Sequence, residues 1–168
     1  MKFESLTGQC NCGTLKYEIS GEPLFTHVCH CRECQRDSGG AFNVSMLVLV
    51  DDFRFVDCEP NSQTISRPSG NEYEVWDCEN CGCTIGGIST APSKVMVVRP
   101  GTLNNTSRIQ PQAHIWIAEK QGWVDIPDNV PAFDYEYDAA TMWSASSLQR
   151  LEIASSSTRN DRDAGIKA

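Results

Sequence analysis

Seven cysteines in three close groups constrain this chain more than any other feature of its sequence. The central group has the spacing C-x-C-x-x-C over residues 29–34, with a C-x-C pair upstream at 10–12 and a C-x-x-C pair downstream at 78–81. Thiolates are strong ligands for soft or borderline metals, and close cysteine pairs commonly hold zinc. The sequence therefore predicts two zinc ions per chain, one closed by four ligands and one held by three with a position left open.

Disulfide bonding is the competing explanation for so many cysteines. The N-terminal residues 1–8 contain no apolar segment typical of a secretory signal, so the expected location is cytoplasmic. Thiols are kept reduced in that compartment. The total of nine cysteines is also odd, which fits a complete disulfide framework poorly. Both observations favour metal binding.

The charge of the chain narrows the classes of partner. The 168 residues carry a formal net charge of −8, whereas binding to nucleic acid without sequence preference needs a basic surface. The same charge disfavours anionic lipid, and no apolar run is long enough to span a membrane. We therefore expect a small-molecule partner, with no nucleic acid and no membrane. The sequence leaves the oligomeric state open.

The hydrophobic pattern predicts a mainly β fold. Short stretches of alternating or β-favouring residues are separated by turn residues, which indicates antiparallel sheets. The predicted strands lie within a hairpin at 3–20 and at 24–28, 41–50, 53–56, 63–67, 73–76, 84–88, 94–99 and 114–117. One helical turn is predicted at 32–38.

The chain is predicted to form one domain followed by a tail. The domain covers residues 1–143, and the polar tail covers 144–168. We expect at most a short helix around 148–153. From residue 155 onward the small, polar and charged composition is typical of disorder.

Five blocks of sequence, in this order, resemble the glutathione-dependent formaldehyde-activating family, also called the CENP-V/GFA domain. They cover about residues 5–135. The blocks are Gly8-x-Cys-x-Cys-Gly13, Cys29-His-Cys-x-x-Cys34 with Arg36 and Ser38-Gly39, Ser69-Gly70-Asn71 leading into Cys78-x-x-Cys81-Gly82, Arg99-Pro-Gly-Thr-Leu103, and Pro111-x-x-His114-Ile115.

The resemblance implies a zinc-bound, mostly antiparallel β fold of the Mss4-like type. It also implies a ligand set for each zinc ion. The structural site would be Cys10, Cys12, Cys78 and Cys81, and the catalytic site would be Cys29, Cys31 and Cys34. The chain departs from the family pattern at residues 75–77, at Cys83 and at Asn104, which puts the substrate in doubt more than the fold.

The three-cysteine site has two interpretations. Three protein ligands and an exchangeable position are the usual arrangement of catalytic zinc. Alternatively, the site is a second structural zinc whose fourth ligand is His27, His30, Cys58 or Cys83. Otherwise His30 is expected to be either a packing residue that supports a ligand from behind or a proton carrier, and His114 is expected to be a partly buried packing residue. The predicted contacts to substrate are Arg32, Arg36, Ser38 and Gly39, because arginine and free backbone amides bind carboxylates.

The function that follows is a zinc-dependent carbon–sulfur lyase of this family type. Three thiolates leave a zinc ion with a net charge near −1, which suits a substrate that brings its own sulfur, and glutathione is such a co-substrate. The predicted substrate is a glutathione adduct of a small carbonyl compound or related electrophile. Two alternatives remain: a non-catalytic binding module stabilised by zinc, and a thiol redox sensor or metal buffer.

Overall fold

Ten short strands in two sheets form the framework of residues 3–156, which is the part of the chain that the computed structural model describes. The mainly β prediction is therefore confirmed. The strands are β1 (Leu6–Gln9), β2 (Lys16–Ile19), β3 (Phe25–Cys29), β4 (Asn43–Leu49), β5 (Phe53–Val56), β6 (Asn61–Ser66), β7 (Glu72–Asp77), β8 (Thr84–Ser89), β9 (Val95–Val98) and β10 (Ala113–Ile115).

The smaller sheet has the order β1-β2-β5, and the larger has the order β10-β3-β4-β9-β8-β7-β6. All pairs are antiparallel except β10 with β3, which is parallel. The larger sheet is therefore mixed at this edge and antiparallel elsewhere, in agreement with the mostly antiparallel fold that was expected. The predicted strand at 114–117 is too long, because Trp116 adopts a left-handed conformation with φ of 58° and ends it.

Three helices accompany the sheets: α1 (Arg32–Ser38), α2 (Ala139–Met142) and α3 (Ala145–Ser156). The helical turn predicted at 32–38 is confirmed. The helix predicted around 148–153 is longer than expected, since α3 has 12 residues and packs Ala154 against Leu24 and Leu49. Residues 157–168 of the predicted tail lie outside the described part of the chain, and the domain boundary at 143 stays a prediction.

The hydrophobic core lies between the two sheets. Tyr17 of β2 stacks on Phe53 of β5 at 5.3 Å between ring centroids, and Phe53 stacks on Trp76 of β7 at 6.2 Å. Successive side chains of a strand point to opposite faces, so the neighbours of these core residues face away. Val98, for example, is fully buried in the core, whereas Val97 faces a cavity on the other side of the larger sheet.

Gly86 in the middle of β8 has no room for a side chain. A Cβ there would lie 2.2 Å from the Val97 carbonyl oxygen and 3.1 Å from the Val98 Cα, and both belong to backbone held in the sheet. We expect Gly86→Ala to lower the free energy of unfolding by about 2 kcal/mol or more. Urea denaturation measures this change.

Gly101 provides the matched control. It lies in the short 3₁₀ turn Pro100–Thr102, where an added Cβ meets no heavy atom within 4 Å. Gly101→Ala should leave stability within about 0.5 kcal/mol of the wild type. Equal effects of the two substitutions would contradict the close packing of β8 on β9.

Candidate metal and substrate site

The first cysteine cluster brings together both of the distant pairs. The sulfur atoms of Cys10, Cys12, Cys78 and Cys81 all lie within 4.8 Å of one another. Cys12 Sγ is 3.4 Å from Cys10 Sγ and 3.7 Å from Cys78 Sγ. Four sulfurs about 2.3 Å from a central zinc would be separated by about 3.8 Å, so this donor set fits a tetrahedral zinc ion.

Two tight turns hold these cysteines in position. In the first turn, the amide of Cys10 donates to the Leu15 carbonyl at 2.9 Å, and Gly13 takes a left-handed conformation with φ of 76°. In the second, the amide of Cys78 donates to the Cys83 carbonyl at 3.0 Å, and Gly82 has φ of 66°. Glycine adopts this conformation without steric cost, which explains its place beside each pair.

The second cluster consists of Cys29, Cys31 and Cys34, whose sulfurs also lie within 4.8 Å of one another. Cys29 ends β3, and Cys31 caps α1 by accepting a hydrogen bond from the Cys34 amide at 3.4 Å. Hydrogen bonds from the Cys29 and Cys34 side chains lower the pKa of the Cys31 thiol. Three clustered sulfurs are suitable ligands for zinc, and they leave one tetrahedral position without a cysteine.

None of the four proposed fourth ligands joins this second cluster. His27 Nδ1 pairs with the Tyr137 hydroxyl at 3.0 Å, and His30 Nε2 pairs with His114 Nδ1 at 2.9 Å. Cys58 donates from Sγ to the Thr14 carbonyl at 3.2 Å, and Cys83 is a separate, half-buried thiol. Among residues 3–156, the cluster contains no fourth histidine, cysteine or carboxylate ligand.

The two buried histidines form a stacked pair behind the second cluster. The rings of His30 and His114 lie 5.2 Å apart, and His30 is 0% exposed. Burial, and then the proximity of His114, lowers the pKa of His30 to about 4, and burial also lowers the pKa of His114. Both rings are therefore neutral at pH 7. The packing expected for His114 is observed.

A cavity of about 980 Å³ opens beside the second cluster, and the three cysteines of that cluster line the cavity wall. The floor is the face of the larger sheet that points away from the core. Cys29 ends β3, while Asn43 begins β4, Asp77 ends β7 and Thr84 begins β8. The strand register places these four residues at the same end of the sheet, so both cysteine clusters lie there.

Helix α1 and the turn between β6 and β7 form facing walls of the cavity, and two contacts join them. The Glu33 carboxylate accepts from the Ser69 amide at 2.9 Å and from its hydroxyl at 3.4 Å. Asp37 forms an ion pair with Arg67. These contacts hold the helix that carries Cys34 against the block at residues 69–71.

The predicted substrate contacts divide into two groups. Arg32 and Arg36 both line the cavity and are exposed at its rim. Ser38 and Gly39 do not line it, because Gly39 ends α1 and the Ser38 hydroxyl is engaged locally, donating to the Gln35 carbonyl and accepting from the Gly40 amide. A role for Ser38 and Gly39 in binding substrate remains a prediction without support from the cavity.

His27 has a hydrogen-bond partner that the sequence did not predict, Tyr137. Trp143 Nε1 donates to the Tyr137 hydroxyl at 3.3 Å, and Tyr137 and His27 both line the cavity. The indole can only donate, whereas the direction of the bond between the Tyr137 hydroxyl and His27 Nδ1 depends on the tautomer of His27. Burial raises the pKa of Tyr137 and lowers that of His27 to about 4, so both groups are neutral at pH 7. His27 and Tyr137 are 110 residues apart in the sequence, so no local pattern indicated this pair.

Tyr137→Phe tests the strength of this arrangement. The substitution removes the hydroxyl and leaves the indole N–H of Trp143 and the Nδ1 atom of His27 without that partner. We expect it to lower the free energy of unfolding by about 1–2 kcal/mol. Chemical denaturation measures the loss.

Tyr135→Phe is the control for Tyr137→Phe. The Tyr135 side chain is exposed, and the described residues give its hydroxyl no hydrogen bond. Its removal should change stability by less than about 0.5 kcal/mol. A loss at residue 137 as small as that at residue 135 would show that the buried hydroxyl contributes nothing to stability.

The fold and the site define a mainly β protein with two cysteine clusters that are suited to binding metal ions, one of them at the wall of a cavity. The chain belongs to the glutathione-dependent formaldehyde-activating enzyme family, whose model matches residues 5–119. The family resemblance seen in the sequence is thereby confirmed. No helix among residues 3–156 has the length and apolar character needed to cross a membrane.

Comparisons with individual proteins add little to the family assignment. A crystal structure of a Rhodobacter sphaeroides protein is 20% identical, with coverage of 62% of this chain and 91% of that chain and a TM-score of 0.46. No curated protein matches the sequence.

Proposed function

We propose that this protein is a zinc-dependent carbon–sulfur lyase that acts on a glutathione adduct of a small carbonyl compound or related electrophilic metabolite. The observation that carries the proposal is the second cluster. Cys29, Cys31 and Cys34 converge at the wall of a large cavity, and no fourth ligand from residues 3–156 accompanies them. Membership of a family named for glutathione-dependent chemistry supports the same conclusion.

The two clusters would have different roles. Cys10 and Cys78 are buried, and with Cys12 and Cys81 they offer four thiolates, so the first cluster would hold a structural zinc. A closed site of this kind has no position for a substrate. The second cluster would hold the catalytic zinc.

Zinc at the second cluster would supply an open position for a thiolate and would stabilise the negative charge of the glutathione sulfur. The protein's own residues would orient the rest of the adduct. Arg32 and Arg36 at the rim would bind carboxylates of glutathione, because guanidinium groups pair with carboxylates in a bidentate manner. The Tyr137 hydroxyl, held by His27 and Trp143, lies in the wall where it can hydrogen-bond an oxygen of the adduct.

The reaction proposed for a hydroxyalkyl adduct is the cleavage of its carbon–sulfur bond. The hydroxyl proton leaves for water, the carbon–oxygen bond becomes a double bond, and the electron pair of the carbon–sulfur bond goes to sulfur. The products are a carbonyl compound and the thiolate of glutathione. The reverse direction forms the adduct, and the residues of the site serve both directions equally.

The test is turnover measured on zinc-loaded protein. Glutathione is mixed with a panel of small aldehydes and other carbonyl compounds, and exchange between free and adduct forms is followed by NMR. We expect faster exchange than in protein-free solution for at least one adduct. Folded, zinc-loaded protein that accelerates no exchange would contradict the lyase and leave the binding-module alternative.

A spectroscopic measurement tests the open position independently of turnover. Cobalt can replace zinc as a coloured reporter of the ligands around it. We expect added glutathione to change the visible spectrum of the cobalt-loaded wild type. An unchanged spectrum would mean that the second cluster is saturated and would favour a second structural site.

A further inference from the structure

Three polar side chains on the cavity floor have no partner in the described part of the chain. Ser45 is only 7% exposed, and no hydrogen bond to its hydroxyl occurs among residues 3–156. The half-buried amide of Asn43 and the half-buried guanidinium of Arg99 also form no side-chain hydrogen bond or ion pair there. All three line the cavity. Their polar groups therefore face the cavity without a protein partner, where a polar ligand can bind them.

The strand register places these groups next to the second cysteine cluster. Asn43 pairs with Cys29, and Ser45 pairs with His27. Met46 pairs with Val98 at the end of the ladder between β4 and β9, so Ser45 and Arg99 face each other one residue further on. Arg99 thus lies two strands across the sheet from Cys29 and two residues further along the strand direction. At ordinary sheet spacing, this places their Cα atoms about 12 Å apart. An arginine side chain shortens that gap considerably.

No acidic side chain among residues 3–156 forms an ion pair with Arg99, although Glu33, Glu119 and Glu136 also line the cavity. Asp77 lies in the same row, but its carboxylate accepts from Gln63 at 2.6 Å and from Thr84 at 2.5 Å, and it forms no ion pair with Arg99. On the opposite wall, Asp37 is paired with Arg67. The guanidinium of Arg99 therefore remains available to an anion that enters the cavity.

We infer that Arg99, Ser45 and Asn43 form a carboxylate-binding subsite for the carbon skeleton attached to the glutathione sulfur. The inference rests on the proposed function and names the class of substrate: an adduct of an electrophile that itself carries a carboxylate, such as a 2-oxo acid. A neutral aldehyde would leave the subsite unused. Arginine with two neutral donors matches the two oxygens of a carboxylate.

The carboxylates of glutathione itself are the other candidate anions for binding to Arg99. Glutathione has two carboxylates and an ammonium group, and burying all of them is costly. The exposed Arg32 and Arg36 at the rim suit those groups. Arg99 and the almost fully buried Ser45 lie on the floor, where the smaller substituent of the sulfur can reach. The position of Arg99 and Ser45 on the cavity floor therefore favours the carboxylate of the electrophile as their ligand.

Calorimetric titration of zinc-loaded protein with three uncleaved thioethers tests the inference without turnover. S-(carboxymethyl)glutathione carries the added carboxylate, S-(carbamoylmethyl)glutathione has a similar shape without the charge, and S-methylglutathione has neither. We expect the first to bind at least about tenfold more tightly than the second. Arg99→Gln should abolish this preference while leaving the affinity for S-methylglutathione unchanged.

Further variants keep the test decisive. Arg99→Lys retains the charge without the bidentate geometry and should keep only part of the preference. Ser45→Ala should also reduce it. Arg54→Gln is the control, since Arg54 pairs with Glu18 on the smaller sheet and does not line the cavity. Thermal melts establish that each variant is folded, and the Arg99 amide keeps its bond to the Ile85 carbonyl in all of them.

The contrary outcomes are distinct. No preference for the carboxymethyl compound in the wild type would overturn the subsite. Equal weakening of all three compounds by Arg99→Gln would assign Arg99 to a carboxylate of glutathione and would also overturn it. Failure of every thioether to bind would contradict the proposed function and, with it, the inference that rests on it.

Discussion

Replacing Cys78 by serine is expected to unfold the protein rather than merely weaken it. Cys78 is buried at the end of β7, and its sulfur lies 3.7 Å from that of Cys12, across 66 residues of sequence. Loss of one thiolate from a four-thiolate site removes most of its affinity for zinc. Structural zinc contributes about 10–16 kcal/mol in small zinc-binding units, whereas a whole domain is stable by about 5–15 kcal/mol. The expected loss is as large as the stability itself.

The measurement is far-UV circular dichroism with zinc content determined on the same sample. Cys78→Ser should show no cooperative thermal transition at 25 °C or above and less zinc than the wild type. Cys58→Ser is the control, because Cys58 belongs to neither cluster and its sulfur donates to the Thr14 carbonyl at 3.2 Å. A folded Cys78→Ser protein with the zinc content of the wild type would show that the first cluster is not a structural metal site.

Local sequence patterns predicted the strands well. The alternation of residues at 53–56 placed β5 correctly, and the stretch at 84–88 located β8 to within one residue. β5 is half-buried, with Phe53 and Phe55 against the core, and its period of two is a direct consequence, whereas β8 buries three consecutive residues at 85–87. The glycines after residue 38 likewise marked the end of α1, since Gly39 has φ of 65°.

The orientation of strands could not be predicted in the same way. Alternation shows which face of a strand is buried, but it is identical for parallel and antiparallel partners. The parallel pairing of β10 with β3 depends on the path of the chain through the 3₁₀ turns at 100–102 and 106–108. Helix α3 was underestimated because its sequence is rich in serine, which disfavours helices in isolation. Its packing against Leu24 and Leu49 is a tertiary effect.

The candidate site was also predictable only in part: features set by local sequence could be predicted, and features set by strand register could not. The two candidate ligand sets were predictable because cysteine spacing within each group is local, and the sequence resemblance supplied the pairing of distant groups. The structure brings together both predicted sets. The cavity floor was not predictable, since Ser45 and Arg99 become neighbours only through the register between β4 and β9. Ser45 has no local pattern that distinguishes it from ordinary strand residues, and Arg99 was marked only as the first residue of a family block.

The second large effect is expected from Cys29→Ser/Cys31→Ser/Cys34→Ser. This variant should bind one zinc instead of two, and it should lose turnover of its glutathione adduct by about a thousandfold or more, because the ligand position for sulfur is gone. The fold should persist, since β3 keeps its pairing with β4 and β10 through backbone hydrogen bonds. Elemental analysis, circular dichroism and the exchange assay on one preparation measure all three quantities.

The comparison of this variant with Cys78→Ser separates the roles of the two clusters. If the first zinc supports the fold and the second supports chemistry, one variant loses structure and the other loses only turnover and one metal ion. Loss of both zinc ions from the triple variant would mean that the clusters are coupled. Full turnover by a triple variant that binds a single zinc would remove catalysis from the second cluster. Cys58→Ser should match the wild type in zinc content and in turnover, because Cys58 lies outside both clusters and outside the cavity.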